Sequence, residues 1–273
     1  MSDEWVRGGR WLPLVALTGV LLAGCAVPKP PPSAANETRD RVTASDEPEA
    51  QKRARARMEL ASAYFERGQM TTALDQVKQA ITADPLYGEA FNLRGLIYSN
   101  LGDVALAEES FRRALQLNAR DADAMHNYGW FLCQHKRYAD STAQFRQALA
   151  VPQYRGGSRT LLALGVCQAF AGQLADADAT LSRAYELDPS NPFTGTNLSE
   201  VLFKRGEFER ARFYIRRVNA LPNVTNAQTL WLAARIEHKL GNEQGAIEFG
   251  NQLRSRFPDA REAAAFSRGA FDE

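Results

Sequence analysis

Small and apolar residues recur along the chain with a period of 34 residues, which is longer than a single helix or strand. Ala61, Gly95 and Gly129 mark three equivalent points of this period. Each is followed by an aromatic residue or leucine three positions later, a large apolar residue 16 positions later and an alanine 19 positions later. Within a unit the apolar positions are spaced as on amphipathic helices. The pattern therefore predicts two helices in every unit.

Helix pairs with this period are typical of the tetratricopeptide repeat (TPR), in which helix A and helix B are antiparallel. A lone pair cannot bury its apolar stripe, so neighbouring pairs stack and share a core. Small residues are expected where helices A and B of one repeat approach closely. Gly68 and Gly102 are placed to end helix A in the left-handed conformation. We therefore predict an all-α fold, a right-handed superhelical solenoid of TPRs.

Six repeats fit the chain, and they cover residues 54–87, 88–121, 122–155, 158–191, 192–225 and 227–260. Gly165 follows Gly129 by 36 residues, so we expect two extra residues, Gly156 and Gly157, in the loop between repeats three and four. Gly250 stands at a position of repeat six where a large residue is usual. Residues 261–273 form a tail, and the sequence leaves open whether it caps the last helix or is disordered.

Residues 1–24 have the organisation of a bacterial export signal, with arginines followed by an apolar stretch that is short for a transmembrane helix. The stretch ends in Leu22, Ala23, Gly24 and Cys25, which resembles the lipobox of bacterial lipoproteins. By this resemblance Cys25 is lipidated and anchors the protein in a membrane. The residue after it is not the aspartate that retains such proteins at the inner membrane, so the periplasmic face of the outer membrane is expected. The alternative is an uncleaved anchor with an incidental cysteine.

The stretch from residue 25 to residue 53 is predicted to be a disordered tether. It contains Pro28 and a run of three prolines at 30–32, which favour extended backbone, and the residues after them are polar and charged. We therefore expect the folded body to stand off the membrane.

Composition narrows the classes of function. The 273 residues carry a formal net charge of +1, which gives no general attraction to nucleic acid. The helical repeats contain no phosphate-binding loop, nucleophile elbow or paired-carboxylate motif. The three histidines and three cysteines lack the spacing of a four-ligand zinc site. We expect no catalytic residues, metal, cofactor or small-molecule substrate.

The surface of helix A is the candidate functional site. Residues at positions 2, 5, 9, 12 and 13 of a TPR usually face the concave groove, and here they include Met58, Phe65, Leu96, Trp130, Leu162, Val166, Phe170, Phe203 and Trp231. Such an apolar stripe fits a groove for an apolar helix or an extended peptide. Two alternatives remain open: part of the stripe packs internally, or the positions are displaced by one. Our candidate partner-binding residues are Met58, Phe65, Leu96, Trp130, Leu162 and Phe170.

Cys133 and Cys167 lie near the ends of helix A in repeats three and four. Equivalent points of adjacent A helices are about one helix diameter apart. In an oxidising periplasm this placement is compatible with a disulfide, and two buried free thiols are the alternative.

With the lipobox, tether and repeats in place, the chain resembles the type IV pilus biogenesis and stability lipoproteins, the PilF/PilW pilotin family. The most specific stretch runs from His126 to Cys133, with Arg137 and Tyr138 after it, and is similar to a segment of the family's third repeat. Residues 161–167 and 250–258 resemble two further family segments. In some members the cysteines that match Cys133 and Cys167 are bonded, so the resemblance implies a disulfide here.

The resemblance implies a non-enzymatic role. Family members sit in the outer membrane and promote localisation or multimerisation of the pilus secretin, the ring through which the fibre exits. We therefore expect a monomeric adaptor whose partners are the secretin and, through Cys25, the membrane. The alternative function is a periplasmic TPR lipoprotein that docks peptidoglycan synthases or hydrolases.

Overall fold

The computed structural model describes residues 47–221 and 223–272. These residues form thirteen α-helices and no strand. The predicted all-α fold is thus confirmed. The helices are α1 (Glu49–Glu66), α2 (Met70–Ala83), α3 (Gly88–Leu101), α4 (Val104–Leu117), α5 (Ala122–Gln134), α6 (Tyr138–Ala150), α7 (Gly157–Phe170), α8 (Leu174–Leu187), α9 (Pro192–Lys204), α10 (Phe208–Asn219), α11 (Ala227–Lys239), α12 (Glu243–Arg256) and α13 (Arg261–Ser267).

The first twelve helices form six antiparallel pairs, and the odd-numbered helix of each pair is helix A. Helix α1 begins at Glu49, so the predicted tether is wrong for residues 49–53, which are helical. The export signal, Cys25 and the rest of the tether up to residue 46 lie outside the described residues. Among the described helices, none has the length and apolar character that crossing a membrane requires.

Helices A and B of one repeat approach closely because a glycine of helix A faces a large side chain of helix B. A Cβ atom on Gly95 would lie 2.7 Å from the Phe111 ring, and one on Gly165 would lie 2.6 Å from Leu181. The facing side chains are fully buried. A larger residue in helix A would force the pair apart, which explains the small residue at this position of each repeat.

Consecutive repeats are joined by buried rings and by carboxylates that receive arginines from the next repeat. Glu108 of α4 accepts hydrogen bonds from Tyr128 of α5 and from Arg137 before α6, at 2.9 and 2.7 Å. Burial raises the pKa of Glu108, but these hydrogen bonds and the arginine charges outweigh it and hold the pKa below its usual value. Asp178 of α8 is held in the same way by Arg205 and Arg210. These links bind adjacent repeats together.

The loop between repeats three and four covers residues 151–156, whereas residues 84–87, 118–121 and 188–191 form the loops that follow repeats one, two and four. The longer loop lies where the sequence period slips, although Gly157 is already the first residue of α7.

The tail, whose structure the sequence left open, continues as helix α13 against the last repeat. Phe266 of α13 packs with Trp231, Leu253 and Ala263 in one core cluster. Its ring occupies the space that a side chain at Gly250 would fill. Helix α13 therefore caps the sixth repeat.

Candidate protein-binding site

An apolar groove runs across three consecutive A helices, α5, α7 and α9. It has a volume of about 370 Å³, and we call it the central groove; its lining residues are His126, Trp130, Arg159, Leu162, Ala163, Val166, Phe193 and Asn197. All of these residues belong to A helices. Because the A helices line the concave side of a TPR solenoid, the groove lies on the surface that such folds use for binding.

Three residues of the predicted apolar stripe meet in the central groove. Trp130 of α5 and Leu162 and Val166 of α7 line it together. Trp130 also packs against the core cluster around Phe145. Helices α5 and α7 bring these side chains together because equivalent positions of adjacent A helices face the same side.

Other candidates are not brought to the central groove. Met58 and Phe65 are half-buried and pack against the core that repeats one and two share, and Leu96 packs against the core that repeats two and three share. Part of the stripe therefore packs internally, which was one of the two alternatives. Phe170, at the end of α7, is 64% exposed and does not line the groove.

Phe193 is a groove residue that the candidate set missed. It follows Pro192 in the first turn of α9, where Asn191 caps the helix by accepting hydrogen bonds from two backbone N–H groups. This places a 70% exposed phenyl ring at the edge of the groove. Phe193 holds position 2 of its repeat, one of the positions that usually face the groove, so the sequence did carry the signal.

His126 adds no charge to the wall of the groove at physiological pH. His126 is buried, and its Nδ1 lies 2.9 Å from the hydroxyl oxygen of Thr160. Burial, helped by the positive charge of Arg159, lowers the pKa of His126 to about 4. The imidazole is therefore uncharged near pH 7, which suits a surface that binds apolar side chains.

One exposed ion pair marks the rim of the groove. The Arg159 guanidinium lies 2.6 Å from Asp123, which joins the beginnings of α7 and α5. Both side chains are more than half exposed, so the pair contributes little to stability. It adds a polar contact at the edge of an otherwise apolar surface.

A disulfide lies next to the groove. Cys133 of α5 and Cys167 of α7 are joined, with their Cα atoms 5.8 Å apart. Cys133 lies one helical turn after Trp130, and Cys167 directly follows Val166. The bond therefore fixes the two helices that supply most of the groove wall.

A second groove lies between α9 and α11, and we call it the terminal groove. It has a volume of about 330 Å³ and is lined by Phe203 of α9, Trp231 and Arg235 of α11 and the beginning of α13. Two more residues of the predicted stripe, Phe203 and Trp231, thus lie here rather than in the central groove. Trp231 is buried because Phe271 covers it, with the two ring centres 5.3 Å apart.

The potential ligands and nucleophiles near these surfaces can be placed individually. Within residues 47–221 and 223–272, no three His, Cys, Asp or Glu side chains are grouped so that they could hold a metal ion. Cys133 is held in a disulfide rather than as a thiol. His135 has its Nδ1 2.8 Å from the backbone carbonyl of Phe131. Besides shape and apolar area, the grooves offer charged side chains, including Arg159 in the central groove and Arg235 in the terminal groove.

Comparison with known proteins gives the fold and the family. The tetratricopeptide repeat family matches residues 32–88 and 88–121. The type IV pilus assembly protein PilF of Pseudomonas aeruginosa is 25% identical over 252 residues, which cover 92% of this chain and 94% of PilF.

Two solved structures agree with this result. The crystal structure of PilW, a widely conserved type IV pilus biogenesis factor, has a TM-score of 0.73 at 32% identity and covers 78% of this chain and 97% of the PilW chain. The structure of P. aeruginosa PilF has a TM-score of 0.72 at 25% identity and covers 81% of this chain and 99% of that chain. The chain therefore belongs to the family of type IV pilus biogenesis TPR proteins that includes PilF and PilW.

Proposed function

We propose that this protein is a non-enzymatic adaptor of the type IV pilus machinery, and that it acts as a pilotin. In this role its central groove binds an apolar segment of the pilus secretin and promotes multimerisation of the secretin in the outer membrane. The observation that carries the proposal is the groove itself, where Trp130, Leu162, Val166 and Phe193 form one apolar wall across three repeats.

The residues of the wall suit the capture of large apolar side chains. Phe193 is mostly exposed, and Leu162 and Val166 are partly exposed, so each has apolar area to lose to a partner. Full burial of one large apolar side chain of the partner contributes about 1.5 to 3 kcal/mol. Two or three such anchors, together with the hydrogen-bonding groups at the rim, support specific binding after the entropy cost of association.

The membrane anchor completes the proposed mechanism. Lipidated Cys25 would hold the protein at the periplasmic face of the outer membrane, where the secretin ring assembles. A subunit bound in the groove is then confined to that membrane, which raises its effective concentration toward other bound subunits. The adaptor therefore needs no chemical step in order to promote assembly.

The test compares secretin multimers in cells that express the wild-type protein or one of two glutamate variants. Phe193→Glu places a charge in the groove without removing core packing. Leu187→Glu is the matched control, because Leu187 is 60% exposed on a B helix, outside the groove. We expect heat-resistant multimers in the outer membrane to be lost with Phe193→Glu and retained with Leu187→Glu.

Normal secretin multimers in the Phe193→Glu strain would reject the proposed role of the central groove. If Phe193→Glu protein accumulates to the normal level and secretin multimers form normally in the outer membrane, the groove does not serve the secretin. Co-purification of cell-wall synthases or hydrolases with the wild-type protein would then favour the alternative adaptor function.

A second experiment separates the anchor from the groove. Replacing Cys25 with serine removes the proposed lipid site but leaves the described fold intact. We expect the Cys25→Ser protein to leave the membrane fraction and multimers to become rare or mislocalised. Retention of the variant in the outer membrane would contradict the proposed anchoring.

A further inference from the structure

Residues 268–272 lie across helix α11 and contact it as a bound peptide would. The Phe271 ring stacks on the His238 ring at 4.2 Å between centres and on the Trp231 ring at 5.3 Å. The Nε of Arg235 donates a hydrogen bond of 2.9 Å to the backbone carbonyl of Phe271. These are ring and main-chain contacts, which are typical of peptide recognition.

The next residue adds a charged contact. Lys239 Nζ lies 2.5 Å from the carboxylate of Asp272, and this ion pair lowers the pKa of Asp272. We call the four α11 residues that hold the segment the terminal face: Trp231, Arg235, His238 and Lys239. The face thus combines an aromatic platform with two arginine or lysine cations.

The terminal face occupies the positions of helix A that face the groove in other repeats. Trp231 corresponds to Leu162 of repeat four, and Arg235 corresponds to Trp130 and Val166 of repeats three and four. Residues 268–272 therefore cover a surface that is equivalent to the wall of the central groove. Within this segment, Phe271 also packs at the edge of the core cluster that contains Trp231.

The terminal face also continues into open surface. The terminal groove borders Trp231 and Arg235 on the α9 side, where the Arg235 guanidinium lies 4.7 Å from the centre of the Phe203 ring. Burial lowers the pKa of Arg235, and among the described residues this side chain forms no ion pair. The charges of Asp272 and Glu200 act on Arg235 in the opposite direction, so an incoming acidic residue would take the place of Asp272 beside Arg235 and Lys239.

The segment is joined to α13 by a backbone hydrogen bond from Ala270 to Ala265 and by a ring contact between Phe271 and Phe266, whose centres are 6.0 Å apart. Helix α13 is held by Phe266 in the core, whereas the chain reverses direction at Gly269, which has a φ of +67°. Beyond that turn, the contacts with the terminal face are the ring stack, the Arg235 hydrogen bond and an ion pair whose Asp272 carboxylate is largely exposed.

We propose that the terminal face is a binding site for a partner segment in which an aromatic residue directly precedes an acidic residue. Phe271 and Asp272 occupy this site within the chain and are displaced when the partner binds. The proposal rests on the proposed function only in that the A-helix surface binds partners, and it adds the chemistry of one such partner segment.

The test measures binding of a fluorescein-labelled peptide with the sequence of residues 267–273 by fluorescence anisotropy. The full-length chain is used as the wild type and as Phe271→Ala, which vacates the aromatic platform. We expect the variant to bind the peptide at least about tenfold more tightly than the wild type, because the attached segment no longer competes. A peptide with alanine in place of phenylalanine should bind neither protein.

Two controls keep the result specific. Phe213→Ala, which removes a half-exposed ring on the B helix α10, should behave as the wild type. When Arg235→Gln is added to Phe271→Ala, the affinity for the peptide should fall by about tenfold, because the backbone carbonyl of the peptide phenylalanine loses the arginine that donates a hydrogen bond to it. Equal binding to wild type and Phe271→Ala, or no binding to the variant at about 1 mM protein, would overturn the proposal.

Hydrogen exchange on the wild-type protein tests the proposal without any variant. Hydrogen exchange should show the amides of Ala270 and Phe271 exchanging much faster than those of α11, because the segment opens locally. Amide exchange as slow as that of α11 would mean that the segment is a permanent part of the core and would overturn the proposal.

Dimers in which two copies of the chain swap this segment would also overturn the proposal. None of these measurements involves secretin or pili. A negative result here would therefore reject the terminal face as a binding site without bearing on the pilotin role.

Discussion

The phenyl ring of Phe266 fills the space that a side chain at Gly250 would occupy. In the other five repeats the equivalent position of helix B holds a large apolar residue with almost no exposed area: Val77, Phe111, Phe145, Leu181 and Ile215. In repeat six, α13 supplies the missing ring from 16 residues further along the chain. Gly250 and Phe266 thus act as one core position shared by two helices.

Gly250→Ala should therefore destabilise the last repeat. The added methyl group overlaps the Phe266 ring, so α13 must shift, and we expect a loss of about 1 to 3 kcal/mol in the free energy of unfolding. Chemical denaturation followed by circular dichroism measures the change. Gly157→Ala is the control, because a Cβ there meets no atom within 4 Å. Equal denaturation midpoints for the two variants would refute this account.

A double-mutant cycle makes the same relationship quantitative. Phe266→Ala alone leaves a cavity in the cluster around Trp231, so it should also be destabilising. In the double variant the alanine at position 250 no longer meets a ring, so the two losses should not add. Strict additivity would show that Gly250 and Phe266 are not coupled.

How far the sequence predicts this fold can be judged from the same residues. The period predicts helix pairs because the packing of one repeat on the next imposes the same residue sizes at each equivalent position. Gly250 stood out as an exception to that rule. Its filler, Phe266, could not be predicted because it lies beyond the last full repeat, where the period gives no register.

The candidate site was predictable only in part. Repeat position identified Trp130 and Leu162 as groove residues, but it could not show that Met58 and Leu96 pack against the cores between repeats, since that depends on local helix packing. The burial of Trp231 depends on Phe271, which no repeat rule places. Tertiary contacts of this kind have no signature in a periodic pattern.

The disulfide should stabilise the middle of the solenoid. Cys133 and Cys167 are 34 residues apart, and closing a loop of that length contributes about 3 to 4 kcal/mol in the chain-entropy account. We expect dithiothreitol to lower the denaturation midpoint of the wild type. The double variant Cys133→Ala with Cys167→Ala should already unfold at the lower midpoint and should not respond to reductant. A response in that variant would point to another cause.

Lys136 is a site where stability can be raised. Its φ is +60°, whereas glycines hold the equivalent left-handed turn in other repeats, including Gly102 at +84°. A side chain disfavours this conformation, so Lys136→Gly should increase the free energy of unfolding by about 0.5 to 1 kcal/mol. Lys136→Ala removes the same charge but keeps a Cβ, and it should bring no such gain. If both variants were stabilised equally, the backbone would not be the reason.

The buried His126 predicts a specific dependence of stability on pH. Its pKa falls from 6.5 to about 4 in the folded protein because burial disfavours the charged ring. Between these two values the unfolded chain binds a proton that the folded chain does not, so stability must fall as the pH is lowered through this range. The shift corresponds to a loss of about 3 kcal/mol once the pH is below both values.

His126→Gln removes this titration but keeps a polar group near Thr160. We expect the stability of the variant to change less than that of the wild type between about pH 7 and about pH 4.5, when unfolding is followed at several pH values. Gln134→Ala, at an exposed position of the same helix, should retain the dependence of the wild type. Because His126 also lines the central groove, its neutral state implies that partner binding there is insensitive to pH above about pH 5. A fall in affinity between about pH 7 and about pH 6 would instead require another titrating group, on the partner or at the rim.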